Sequence, residues 1–153
     1  MAAAGDTPAE LLNDIFTVTA VNPDGKKFDK VNRLICKSET YGIDMSIDIA
    51  SEVYPLKKDE KFAMVLRSTL RLDGKPDDGT YDQSTKESAL DAFEYGMSGK
   101  IFKYDHAEDA RVSIYASYGG LLMLVQGKAE HLKALKLDSR VYCLMRRAAS
   151  GGM

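Results

Sequence analysis

Residues Ser117–Gly127 read SYGGLLMLVQG. Two glycines separate an alternating run, Arg111–Tyr118, from a run in which every residue is apolar, Leu121–Val125. Two-residue hairpin turns of the primed types favour positive φ at their central positions, and Gly119-Gly120 supplies that freedom. The stretch therefore predicts two antiparallel strands joined by a tight turn. A sheet with one wet face carries apolar side chains at alternate positions only. Leu121–Val125 would cover both faces of its strand, so something must cover the second one.

The same grammar extends in both directions. Asp14–Val21 (DIFTVTAV) is strand-like and stops at Asn22-Pro23-Asp24-Gly25, a turn signal. Lys26–Glu39 alternates loosely, with Phe28, Leu34 and Cys36 on one parity. Gly42–Ile49 alternates cleanly, with Ile43, Met45, Ile47 and Ile49 opposite Asp44, Ser46 and Asp48, the pattern of a half-buried strand. Pro55 should break pairing after it. Phe62–Leu70 is a further strand, and Phe93–Tyr104 and Leu137–Arg146 complete the set. Asp105–Ala110 is a polar turn, and Ala129–Leu135 predicts one or two helical turns. Residues 71–92 contain Gly74, Pro76 and Gly79 among mostly polar neighbours, and read as a long mobile loop with a short helix near Ser88–Ala92. The chain is expected to be a single domain over 1–153, with residues 1–12 and 148–153 as disordered tails.

Seven or eight short strands, close turns and little helix predict an antiparallel all-β barrel or sandwich, and patterning alone does not separate the two. The length of 153 residues is ample for a self-sufficient core. A net charge of −2 gives no global attraction for phosphates. Cys36 and Cys143 lie in strand-like runs without a Cys-x-x-Cys pair, and read as buried thiols in a reducing compartment. No apolar run approaches the ~18 residues of a membrane span. MAAAGDTPAE lacks the basic start of a secretory signal. A soluble intracellular chain with no membrane partner is expected.

The residues offer little chemistry. His106 and His131 have no Cys, Asp or Glu at a convincing ligand spacing and read as surface histidines. Gly96-Met97-Ser98-Gly99 falls one position short of the nucleophile elbow and sits in a strand. Asp73–Gly79 places Lys75 and Asp78 where a calcium loop needs an oxygen donor and a glycine. No catalytic, cofactor or metal residue is assigned. Small barrels can bind single strands through aromatic platforms in a basic groove. Tyr95, Phe102, Tyr104, Tyr115, Tyr118 and Tyr142 lie on strands, with Lys100, Lys103, Arg111, Arg140, Arg146 and Arg147 near them in sequence. The charges do not cluster, so a free single-stranded nucleic-acid-binding barrel is the alternative and not the leading reading.

The stronger signal is apolar excess. Phe62–Leu66, Leu121–Val125 and Val141–Met145 are apolar on both parities. A loop, a helix, a second sheet or another protein must cover the outer parity, and partner burial competes with internal cover because large exposed apolar patches mark interaction sites. Tyr118, Gly119, Gly120, Leu121, Leu122 and Met123 are the candidate partner-binding residues. A free strand edge accepting a partner's strand is a second device.

Several further segments carry a resemblance. They are Asp14-Ile15-Phe16; Asp24-Gly25-Lys26-Lys27-Phe28-Asp29 with Val31 and Arg33; Val53-Tyr54-Pro55 with Asp59, Lys61 and Phe62; Ser68-Thr69-Leu70; Asp73-Gly74 with Asp78-Gly79; Phe93-Glu94-Tyr95 with Met97, Gly99 and Lys100; Ser117–Met123 with Gly127; and Asp138-Ser139-Arg140-Val141-Tyr142 with Leu144-Met145. Together, in this order, they resemble the small barrel subunit shared by the eukaryotic nuclear RNA polymerases I, II and III. The resemblance implies an antiparallel, Greek-key-like barrel related to the oligonucleotide/oligosaccharide-binding fold. It also implies a non-catalytic assembly subunit without a cofactor. Such a subunit docks on the largest polymerase subunit, contacts other polymerase subunits and meets nucleic acid only weakly or indirectly. It works in the nucleus, including the nucleolus.

Overall fold

The computed structural model describes residues 10–26, 28–70 and 89–148. Eight strands form: β1 Glu10–Val21, β2 Val31–Ser38, β3 Asp44–Ala50, β4 Lys61–Arg67, β5 Tyr95–His106, β6 Arg111–Tyr118, β7 Leu121–Lys128 and β8 Arg140–Arg147. They close into one antiparallel barrel in the order β1-β2-β3-β7-β6-β5-β8-β4. Closure decides between barrel and sandwich.

The order resolves into two Greek keys. In each, three strands meander and the fourth returns beside the first. β4 lies beside β1 of the β1-β2-β3 meander, and β8 lies beside β5 of the β5-β6-β7 meander. The keys meet at two seams, β3–β7 and β4–β8. β1 and β5 are the long strands. Each pairs with the fourth strand of its key over its first half and with the second strand over its later half. Each also carries a register shift toward that second strand, at Val18/Ala20 in β1 and Ile101/Lys103 in β5. Such bulges bend a strand and raise its twist, which a small closed barrel requires.

The interior is filled with apolar side chains, among them Phe16 stacked on Phe62 at 5.9 Å between ring centres. Gly119 (φ 65°) and Gly120 (φ 102°) form the expected turn between β6 and β7. A four-residue helix, α1 Ala129–Leu132, follows β7, and Leu132 and Leu135 are buried at that end of the barrel. The opposite end is closed by Tyr54 and Tyr95, stacked at 5.1 Å and nearly parallel. The Arg147 guanidinium lies 4.7 Å over the Tyr54 ring, and the Tyr54 hydroxyl donates to Glu94 Oε1 at 2.6 Å.

Several sequence expectations shift. β1 starts at Glu10, four residues before the expected Asp14, and Leu11 and Leu12 are buried. Residues 10–12 thus belong to the barrel and not to a tail, and residues 1–9 lie outside the described residues. Ala148 donates its N–H to the Lys61 carbonyl at 3.0 Å, extending the β4–β8 pairing. The rest of the expected C-terminal tail lies outside the described residues, as does 71–88 of the polar loop; Ala89–Ala92 form a 3-10 turn. Phe28 does not share the buried parity of Leu34 and Cys36. A turn at Asp29-Lys30 interrupts the alternation and leaves Phe28 68% exposed. Barrel closure also leaves no strand wholly unpaired on one side, so partner-strand addition along a full edge is ruled out for these strands.

Candidate docking surface

The two-faced apolar runs have two different answers. In β4 the inward residues are Phe62, Met64 and Leu66, and in β8 they are Val141, Cys143 and Met145. Their outward neighbours Val65 and Leu144 face each other across the seam and are 6% and 1% exposed. The chain covers that second face itself, so partner burial fails as an explanation for these two runs.

β7 differs. Met123 and Val125 point inward and are buried, whereas Leu122 is 43% exposed and Leu124 half-buried. Across the sheet Leu124 pairs with Tyr115 of β6, and Tyr115 pairs with Lys103 of β5. Phe102 follows the inward Ile101, points outward and is 49% exposed, and the bulge after Ile101 keeps Lys103 outward beside it. Its ring lies 6.1 Å from that of Tyr115, and Lys103 Nζ sits 5.1 Å over the Tyr115 ring. Leu122, Leu124, Tyr115 and Phe102 thus form an outer apolar stripe across β7, β6 and β5.

One rim of the stripe is fixed by Asp48. Its carboxylate accepts from Arg33 Nε at 2.7 Å and Nη2 at 3.0 Å, and from the Leu122 N–H at 3.1 Å. The β3–β7 ladder ends at Ile47/Met123, so the carboxylate satisfies a backbone donor at the point where the strands part. Asp48 and Arg33 also line a recess of about 40 Å³ beside the exposed Phe28.

Of the six residues proposed from sequence, Gly119, Gly120 and Leu122 are exposed and Leu121 is half-buried. Tyr118 and Met123 are corrections: both lie inside the barrel, the Tyr118 hydroxyl 3.8 Å from Met123 Sδ. Burial raises the Tyr118 phenol well above its ordinary pKa and pushes both cysteine thiols up to about 12. Sequence reasoning missed Phe102 and Phe28 as docking candidates. The first stands alone on the outward parity of β5, and a turn moves the second out of its expected parity.

Of the aromatic and basic residues considered for nucleic acid, Phe102, Tyr115 and Lys103 come together, on the outer stripe itself. Tyr95 and Tyr118 are interior, and Tyr104 packs against the core. Arg111 pairs with Asp44, Lys103 with Asp105, and Arg147 with Glu60 and Glu94, so a carboxylate stands beside each of these cations. Among the described residues, no group of three or more His, Cys, Asp or Glu side chains could hold a metal ion.

A closed, filled barrel with an exposed apolar stripe on its outer face, and with Phe28, Val53 and Leu137 exposed elsewhere, has the character of a protein-binding module. The family model "RNA polymerase Rpb8" matches residues 13–147. The chain belongs to this family. It is 49% identical over 140 residues to "DNA-directed RNA polymerases I, II, and III subunit rpabc3" of Dictyostelium discoideum, a match covering 90% of this chain and 97% of that one. It is 41% identical over 139 residues to "DNA-directed RNA polymerases II, IV and V subunit 8B" of Arabidopsis thaliana, covering 90% and 95%. Similarity to subunit RPABC3 of Saccharomyces cerevisiae is 30% over 145 residues, covering 90% and 97%.

Proposed function

We propose that this chain is a non-catalytic subunit of the nuclear DNA-directed RNA polymerases, docked on the largest subunit by the outer face of β5, β6 and β7. The observation that carries the reading is similarity along nearly the whole barrel to proteins named as shared polymerase subunits. The outer stripe is the surface best suited to docking, because Leu122 and Phe102 are exposed while the other two-faced runs are covered. Burying that stripe against another protein stabilises the assembly, and an obligate interface typically buries about 2,000 Å² or more. Hence the contact should extend beyond the stripe to other polymerase subunits and to the Gly119-Gly120 turn. Work in the nucleus and nucleolus follows from the same reading.

The test is affinity purification of the tagged chain from its own cells, with mass spectrometry of what co-elutes. The largest polymerase subunit should co-purify. Leu122→Asp should lose it while retaining the far-ultraviolet circular dichroism of the parent, since Leu122 points outward. Retention of the largest subunit by a folded Leu122→Asp/Phe102→Asp chain would remove the stripe from the interface. Absence of polymerase subunits from the parent eluate would remove the function itself.

A further inference from the structure

At the opposite end of the barrel from the Gly119-Gly120 turn, the closed ladder has a gap. β2 pairs with β1 only from Phe16 onward, whereas β1 begins at Glu10. On the β2 side of β1, the Ile15 carbonyl accepts the Glu39 N–H at 2.8 Å, and the Ile15 N–H is held by Asp14 Oδ1 at 2.7 Å. The chain then turns away: Asp14 also accepts the Thr40 and Tyr41 N–H groups, each at 3.1 Å, which peels the β2–β3 connection off the strand. Backbone groups of a strand alternate between its two edges. Those of Asn13 therefore point to the same side as those of Ile15, and among the described residues they have no partner.

That edge, unpaired among the described residues, forms one wall of a groove of about 270 Å³. Tyr41 and His131 line the other wall, stacked at 4.7 Å between ring centres, and Glu10 and Glu130 stand at its rim. The groove thus offers a backbone donor and acceptor, an aromatic surface and two exposed carboxylates. These match a short extended polypeptide with Arg or Lys side chains: its backbone pairs with Asn13, and its cations meet the glutamates and the stacked rings. The carboxylates repel a phosphate backbone.

We infer that the groove between the start of β1 and α1 is a second docking site, which takes a basic extended segment of a partner polypeptide as a short added strand. It is separate from the outer stripe and does not depend on which assembly the stripe joins. The test titrates the 15N-labelled full chain with the peptide acetyl-Thr-Arg-Thr-Arg-Thr-amide, followed by NMR. The Asn13 amide and the Tyr41 and His131 ring signals should shift together. Glu10→Gln/Glu130→Gln should weaken binding about tenfold, because two ion pairs of ordinary surface strength are lost. N-methylation of alternate peptide amides should abolish it. The inference is overturned by unmoved groove signals at millimolar peptide, by equal binding of the Glu-for-Arg peptide, or by an oligothymidylate shifting the same signals more strongly.

Discussion

Gly99 sits where β5 leaves β8 and joins β6: Gly99 pairs with Val141, and Lys100 pairs with both Arg140 and Ser117. A methyl group added there would lie 2.1 Å from the Ser117 carbonyl oxygen, 2.9 Å from the Ser117 carbonyl carbon and 2.7 Å from Tyr118 Cδ1. Ordinary carbon–oxygen approaches are about 3.3 Å or longer, so strand and neighbour must separate by roughly 1 Å. Two of the three obstructing atoms are backbone, and Tyr118 is locked in the core, so no rotamer change relieves the clash. Overpacking costs about 1–3 kcal/mol, occasionally more, and the usual gain from replacing a strand glycine, about 0.5–1 kcal/mol, offsets only part. A net loss of about 2 kcal/mol is expected for Gly99→Ala, which is about 4–8 °C in Tm for a domain of this size. The matched control is Gly127→Ala. Its new methyl meets Ile43 Cγ1 at 3.2 Å and Leu132 Cδ1 at 3.6 Å, both side-chain atoms that can yield. That change should stay within about 0.5 kcal/mol of neutral, since the propensity gain and the crowding nearly cancel. Urea unfolding followed by circular dichroism on the full chain measures both. If Gly99→Ala costs no more than Gly127→Ala, the steric account of the β5 crossing is wrong.

Other predictions concern the buried acids and thiols. Burial pushes the Asp14 carboxyl up, but the Tyr41 N–H, the Ser38 hydroxyl and the Ile15 and Thr40 N–H groups together hold it below its ordinary value. Its folded pKa is therefore depressed: its stabilisation is complete above the unfolded value of about 3.9 and is lost as pH falls through the folded value. Asp14→Ala should cost about 2–3 kcal/mol at pH 7, and its urea midpoint should fall less steeply than the parent's between about pH 5 and 3. Asp48→Ala frees Arg33 and leaves the Leu122 N–H without its acceptor, a loss of about 1.5–3 kcal/mol in urea unfolding, with amide shifts centred on Leu122. Cys36 and Cys143, their thiols pushed up to about 12 by burial, should resist a disulfide-exchange reagent at pH 8 in the folded chain. Both should react promptly in denaturant.

Patterning carried most of the strands, because a barrel wall has one face toward a filled interior and period-two alternation records it. Gly42–Ile49 was legible for this reason: all of Ile43, Met45, Ile47 and Ile49 are buried. Greek-key closure was not legible from alternation, since nothing local distinguishes the seam partners Ser46 and Leu124 from any other pair of strand residues. The resemblance supplied the barrel, and strand order supplied the two keys. The docking candidates show the same limit. The unbroken apolar run of β7 drew attention to Leu122, but the matching runs of β4 and β8 drew equal attention to Val65 and Leu144, which the chain covers itself. Phe102 escaped because it is a single outward aromatic between Ile101 and Lys103, with no unbroken apolar run to mark it; the bulge there shifts only the parity of the residues after it.

The arrangement of two interlocked keys has a consequence for synthesis. β4 and β3 flank the first key, and both lack their outer neighbours until β8 and β7 exist. Arg67 leaves the ribosome well before Arg147. At about 5–20 residues per second, the nascent first half waits roughly 4–16 s with two raw edges and an unroofed hydrophobic bowl. Neither half can finish its own fold, so the newborn chain passes through an obligatory sticky interval that chaperones would have to shield.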